Sequence, residues 1–181
     1  TARLAEAVLR GARRVEETDT ELKRAFDTGT EDLLASDGVL LGTPENFGYM
    51  SGALKDFFDR TYYACEGKLV GLPYAVFISA GNDGRGAVRE IGRIANGYRW
   101  KSVAEALIVR NPINDENLIA AEELGEAMAA GLSVPLQLPA GASAAAPQPV
   151  AQAGPVSSCN EYVPTSLTVS SPVVKPGGKV T

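Results

Sequence analysis

The sequence predicts an α/β fold in which a parallel sheet is covered by helices on both faces. Three observations predict it. The runs Val39-Leu40-Leu41 and Tyr74-Ala75-Val76-Phe77-Ile78 are apolar without polar alternation, as strands buried on both faces are. Each run leads into a loop rich in Gly, Asn and Ser, and each loop into an amphipathic helical stretch. The whole chain up to Ala130 then reads α-β-α-β-α-β-α-β-α, the order of a doubly covered parallel sheet.

The elements follow in order. Thr1 to Arg14 is a helix, since Leu4, Val8 and Ala12 recur at four-residue spacing and Arg10, Arg13 and Arg14 suit its C-terminal end. Thr20 to Phe26 alternates, with Leu22, Arg24 and Phe26 on one parity, and predicts a modest strand. Asp27-Thr28-Gly29 turns the chain, and Thr30 is the expected N-cap of a short helix over Glu31 to Ala35. After the strand Val39 to Leu41, Thr43 to Gly48 reads as a loop and Ser51 to Tyr63 as a helix, with Lys55 and Asp59 paired one turn apart. Ser79 to Gly84 is the loop after Tyr74 to Ile78, and Gly86 to Asn96 the next helix. Glu105 to Val109 is the last core strand. Asn114 caps a final helix, Asp115 to Ala130, with Gly131 as its C′ residue.

Composition excludes several function classes. A chain of 181 residues with 45% hydrophobic residues has room for a core, and its net charge of −5 argues against a nucleic-acid surface. There are no histidines, which removes Ser-His-Asp and Cys-His catalysis and histidine-ligated metals. Cys65 and Cys159 lie far apart and support neither a zinc site nor a disulfide framework. No apolar run reaches transmembrane length and the opening residues do not read as a signal peptide, so the expected location is the cytoplasm.

Two stretches carry the candidate chemistry. Gly42-Thr43-Pro44-Glu45-Asn46-Phe47-Gly48-Tyr49-Met50-Ser51-Gly52 places Phe47 and Tyr49 in a loop whose glycines let backbone approach a flat ligand; a tight turn with a packed Phe fits the same residues. Ser79-Ala80-Gly81-Asn82-Asp83-Gly84-Arg85-Gly86 links strand to helix with the spacing G-x-x-G-x-G rather than the dinucleotide pattern G-x-G-x-x-G. It fits either a ligand-contacting loop or a plain connection. Arg85, Arg89 and Arg93 form a stripe best read as a solvated helix face, with a nicotinamide-cofactor phosphate as the other reading. Cys65 reads as a packed thiol. In parallel sheets ligands bind at the carboxyl ends of strands, where both stretches fall.

Asp37-Gly38, the strand after it, and GTPENFGYMSGALKDFFDRTYY from Gly42 to Tyr63 resemble the flavodoxin-like family of NAD(P)H-dependent FMN reductases and quinone reductases. The resemblance covers about residues 1–131 and implies a flavodoxin-like three-layer sandwich that holds FMN. It implies that Thr43, Pro44, Glu45, Asn46, Phe47, Gly48 and Tyr49 line one side of the flavin ring, and that Ala80, Gly81, Asn82, Asp83 and Gly84 contact its other edge. Thr1 corresponds to the last residue of the family's phosphate loop. The family's first strand and most of that loop are missing from the pattern, so the chain is expected to be an N-terminally truncated piece. The implied activity is hydride transfer from NAD(P)H through flavin to a small acceptor such as a quinone, with self-association an open addition. An electron carrier without its own NAD(P)H site, and a fragment that no longer binds FMN, are the alternatives.

Beyond the body, the sequence changes character. Residues 133–181 hold eight of the eleven prolines, and Glu161, Lys175 and Lys179 are their only charges. Residues 132–160 read as an Ala/Pro-rich linker. Residues 161–181 read as a disordered tail or the opening of a β-sandwich module, whose alternating Leu167 to Ser171 could pair with a sheet edge.

Overall fold

Strand β1, Val39–Asn46, lies parallel to β3, Pro73–Ala80, in register from Val39 opposite Tyr74 to Pro44 opposite Ser79. These coordinates come from a computed structural model that describes residues 1–110 and 112–133. The readings made for residues 134–181 lie outside the described residues. On the far side of β3 two short strands follow one another: β4, Lys101–Ser102, pairs with its start, and β5, Leu107–Arg110, with its end. Both are parallel to β3. A two-residue strand, β2 (Tyr49–Met50), folds back antiparallel on the end of β1.

Side-chain alternation divides the core into two. Val39 and Leu41 of β1, with Tyr74, Val76 and Ile78 of β3, face helices α3, Gly52–Cys65, and α4, Arg85–Tyr98, where Leu54, Phe57, Phe58 and Ile91 are fully buried. Leu40, Ala75, Phe77 and Val109 face the other way, onto Leu4 and Val8 of α1, Ala2–Ala12, and Ala121 and Met128 of α5, Asp115–Ser133. Each large side chain removed from water in this way contributes about 1.5–3 kcal/mol. The result is the expected three-layer α/β sandwich.

Helices α1 and α5 cross at backbone contact. A Cβ added at Gly11 would lie 1.8 Å from the Glu122 carbonyl oxygen, and one at Gly125 would lie 2.0 Å from that of Val8. Arg10 donates to Glu122 at 3.0 Å and Arg14 to Glu126 at 3.0 Å across the same crossing. These pairs are exposed and worth little singly; the small residues set the approach.

Several local expectations are corrected. Thr20 to Phe26 forms no ladder with the sheet. It has no regular structure up to Arg24, whose backbone is extended, and ends in a 3-10 turn, Ala25–Asp27. The segment is instead pinned by side chains: Arg60 donates to the carbonyls of Ala25 at 2.8 Å and Thr28 at 3.1 Å, and Lys23 pairs with Asp32 at 2.6 Å. Leu22 packs on the α1/α5 side and Ala25 on the α3/α4 side, which leaves Phe26 exposed. Helix α2 is Thr30–Leu34 with Gly29, not Thr30, at its N-cap, because the Asp32 carboxylate accepts the Gly29 N–H at 2.8 Å. The last strand begins at Leu107 rather than Glu105, since Glu105 is exposed and pairing with β3 resumes only two residues later. Helix α5 runs through Gly131 to Ser133, past the expected stop and two residues into the stretch read as linker; Leu132 still packs on the core, and that contact outweighs the glycine. Asn114 caps α5 as expected, accepting from the Asn117 N–H at 2.9 Å while its own N–H meets the Asn117 side chain at 3.2 Å.

Candidate functional site

The carboxyl ends of β1 and β3 lie side by side, so the loops that follow them are neighbours in space. The first of these stretches is not the open loop expected. Thr43, Pro44, Glu45 and Asn46 continue β1, and Asn46 pairs with Tyr49 around a two-residue turn at Phe47 and Gly48. Both turn residues have positive φ, 53° and 71°, the geometry of a tight hairpin whose twist matches the strands. Hydrogen bonding explains the strand: Thr43 Oγ1 accepts from the Ser51 N–H at 2.9 Å and donates to the Pro44 carbonyl at 2.9 Å, closing the hairpin onto α3. Ser51 in turn accepts the Leu54 N–H and starts that helix.

Phe47 at the turn is fully exposed. A non-glycine residue at positive φ costs roughly 1–2 kcal/mol, and Asn is the usual occupant of this place. Tyr49 is half-buried against the α3/α4 cluster. Asn46 and Gly48 are exposed.

The second wall is Gly81 to Gly84. Ala80 and Ser79 belong to β3, while Gly81, Asn82 and Asp83 are exposed beyond its end. Asp83 accepts the Arg85 N–H at 3.1 Å. Gly84 has φ 71°, and a Cβ there would meet Ile108 at 2.5 Å, so glycine is needed on both counts. By contrast a Cβ at Gly48 or Gly81 would meet nothing within 4 Å, which marks open space beside both loops.

Glu45 joins the two walls. Its carboxylate accepts the N–H groups of Gly84 at 3.0 Å, Gly86 at 3.0 Å and Ala87 at 3.3 Å, the first donors of α4. The hairpin sits so close that a Cβ at Gly86 would lie 2.0 Å from the Gly48 carbonyl oxygen. Thr1, at the start of α1, shares a hydrogen bond with Ser79, whose side chain is nearly buried.

The residues that the resemblance assigns to the flavin are therefore gathered at one end of the sheet: Thr1, Thr43 to Tyr49, and Ala80 to Gly84. The contacts add Ser79, Gly86 and Ala87. Ser79 and Gly86 were visible as the flanks of the second motif, but nothing in the spacing showed that Ser79 meets Thr1 or that Gly86 and Ala87 meet Glu45. Arg89 and Arg93 keep more than 70% of their side chains exposed on α4, and each pairs with Glu90, as a solvated face does. Cys65 is buried and its thiol pKa is pushed up by burial, with Lys68 a smaller opposing pull, so it is no nucleophile. Among the described residues no cluster of His, Cys, Asp or Glu suits a metal, and no helix is long and apolar enough to cross a membrane.

A parallel sheet between paired helices, with two loops side by side at the strand ends, defines a flavodoxin-like protein. The family model for NADPH-dependent FMN reductases matches residues 3–108, and the chain belongs to that family. A flavodoxin of Aquifex aeolicus (strain VF5) is 37% identical over 86 residues, which cover 48% of this chain and 46% of that protein. An NAD(P)H dehydrogenase (quinone) of Acidithiobacillus ferrooxidans is 33% identical over 97 aligned positions, covering 42% of this chain and 48% of its own. The chain thus spans about half the length of the curated relatives it matches. Among solved structures, a flavodoxin from the domain Archaea superposes with a TM-score of 0.63 at 20% identity, over 73% of this chain and 90% of that one. The two-electron reduced flavodoxin of Megasphaera elsdenii gives 0.60 at 23%, over 72% and 90%. These likenesses confirm the fold.

Proposed function

We propose that the chain is the flavin-holding body of an FMN-dependent NAD(P)H oxidoreductase. On this reading residues 1–131 are the FMN-binding unit and the remainder a linker and tail. The observation that carries it is the loop pair itself: two loops fixed to each other at the strand ends, one presenting an exposed aromatic held at positive φ. The residues fit a flat, polar-edged ring. Phe47 offers an aromatic face, the backbone of Gly81 to Asp83 offers N–H donors, and Thr1 with the N-terminus of α1 offers an anion-favouring end for a phosphate.

Bound FMN would take a hydride from NAD(P)H and hand electrons to an acceptor such as a quinone. The chain's own part is to bind, orient and shield. Thr43 and Ser51 hold the hairpin in place, and Glu45 fixes it against α4. No side-chain acid or base is required, in keeping with the absence of histidine.

Titration with FMN followed by flavin absorbance tests the reading, with anaerobic NADPH and then a quinone added to the loaded protein. Saturable binding, bleaching by NADPH and recovery with quinone support it. Binding without bleaching supports instead the electron-carrier reading, which the Aquifex flavodoxin favours. A colourless protein with no FMN affinity defeats both. Self-association belongs to the same proposal, and light scattering on the loaded protein reads it.

A further inference from the structure

Glu45 lies on one of the two loops and is bonded to the other. Its half-buried carboxylate takes three N–H groups at the start of α4, from Gly84, Gly86 and Ala87. A helix N-terminus favours an anion, and here the protein supplies its own. This has two physical results. The hairpin is tied to the helix, so the two loops cannot move independently. The positive end of α4 is also spent on Glu45, which leaves a fixed carboxylate between the two loops and, at α4, no free helix end to attract a second negative charge.

Resting on the FMN reading above, we propose that Glu45 is a positioning residue that couples the two loops and weakens their preference for the reduced, anionic flavin over the oxidised one. The ring gains negative charge on reduction. A carboxylate that both repels that charge and occupies the amides that would otherwise stabilise it must disfavour the reduced form.

The test compares wild-type protein with Glu45→Gln and Glu45→Ala. Dissociation constants are measured for FMN and for dithionite-reduced FMN, and amide exchange is followed in the FMN-free protein. Gln keeps an acceptor for α4 and removes the charge. Glu45→Gln is expected to bind oxidised FMN almost as well as wild type, and reduced FMN on the order of tenfold more tightly, the scale of one partly solvated charge. Glu45→Ala is expected to weaken oxidised FMN binding and to speed exchange at Gly84, Gly86 and Ala87 together with the hairpin pairs Glu45–Met50 and Asn46–Tyr49. Equal changes for both redox forms in Glu45→Gln would reduce Glu45 to a structural cap and overturn the electrostatic claim. Unchanged hairpin exchange in Glu45→Ala would overturn the coupling. Wild-type protein that binds neither form of FMN would overturn the flavin reading and the electrostatic claim with it, while the exchange data still decide the coupling.

Discussion

Phe47 concentrates the tension between stability and use. Its ring gains nothing from the core, since it is fully exposed, and its backbone sits where Asn is at home. Replacing it should therefore separate the two demands. Phe47→Asn is predicted to raise stability by about 0.5–1 kcal/mol, because the turn loses its strain. The same change should weaken FMN binding by about 0.5–1.5 kcal/mol, the worth of an aromatic pair beyond its area. Chemical denaturation and FMN titration of the same variant check both signs. A destabilised variant with unaltered FMN affinity would show that the ring serves the turn after all.

At the scale of elements, α3 and α4 are joined by one buried hydroxyl. Tyr98 donates to the Phe58 carbonyl at 3.0 Å and lies 2.8 Å from Thr61 Oγ1, with its ring 4.5 Å from that of Trp100. Burial holds the Tyr98 phenol well above its ordinary pKa, and the Cys65 thiol is raised in the same way. In the unfolded chain both ionise at their ordinary values, about 8.5 for a thiol and about 10 for a phenol. Their stabilising effect is complete below those values and is lost as pH rises through the folded-state values, because only the unfolded state gives up its protons. Thermal melts from pH 7 to pH 11 should show a falling midpoint. Tyr98→Phe should flatten that fall above about pH 10, at a cost of roughly 0.5–1.5 kcal/mol at neutral pH from the lost hydrogen bonds.

The same scale explains what the sequence could reveal. β1 and β3 were legible because each must be apolar on both faces to sit between two helix layers. Thr20 to Phe26 was misread because two alternating apolar side chains look the same whether or not a neighbouring strand exists. What decides the outcome is a distant partner, and here the partners are Arg60 and Asp32. β2 was missed for a local reason: a hairpin usually announces itself with Asn-Gly, and this one turns on Phe-Gly. The site residues were legible as two loops through the family motif. Their mutual attachment through Glu45 was not, since the acid and the amides it binds are some 40 residues apart and the donors are backbone N–H groups.

For the whole molecule, the crossing of α1 on α5 closes the sandwich. There is no room at Gly125 for a methyl group, because the Val8 carbonyl lies where it would go. Gly125→Ala is predicted to cost at least about 1–3 kcal/mol, despite the better helix propensity of Ala, since the two backbones must part. Chemical denaturation measures it, and a neutral or stabilising effect would mean that the helices can slide apart freely.

That crossing also sets a schedule for biosynthesis. α1 leaves the ribosome about a hundred residues before the first turn of α5. At roughly 5–20 residues per second, the α1 face around Val8 and Gly11 waits about 5–20 s for α5 to cover it. The β1–β3 sheet and its α3/α4 layer can assemble in that interval from contacts closer in sequence. The nascent chain therefore carries a half-built sandwich whose first helix is still uncovered on its α5 face, and it is during this window that chaperones and aggregation compete for it.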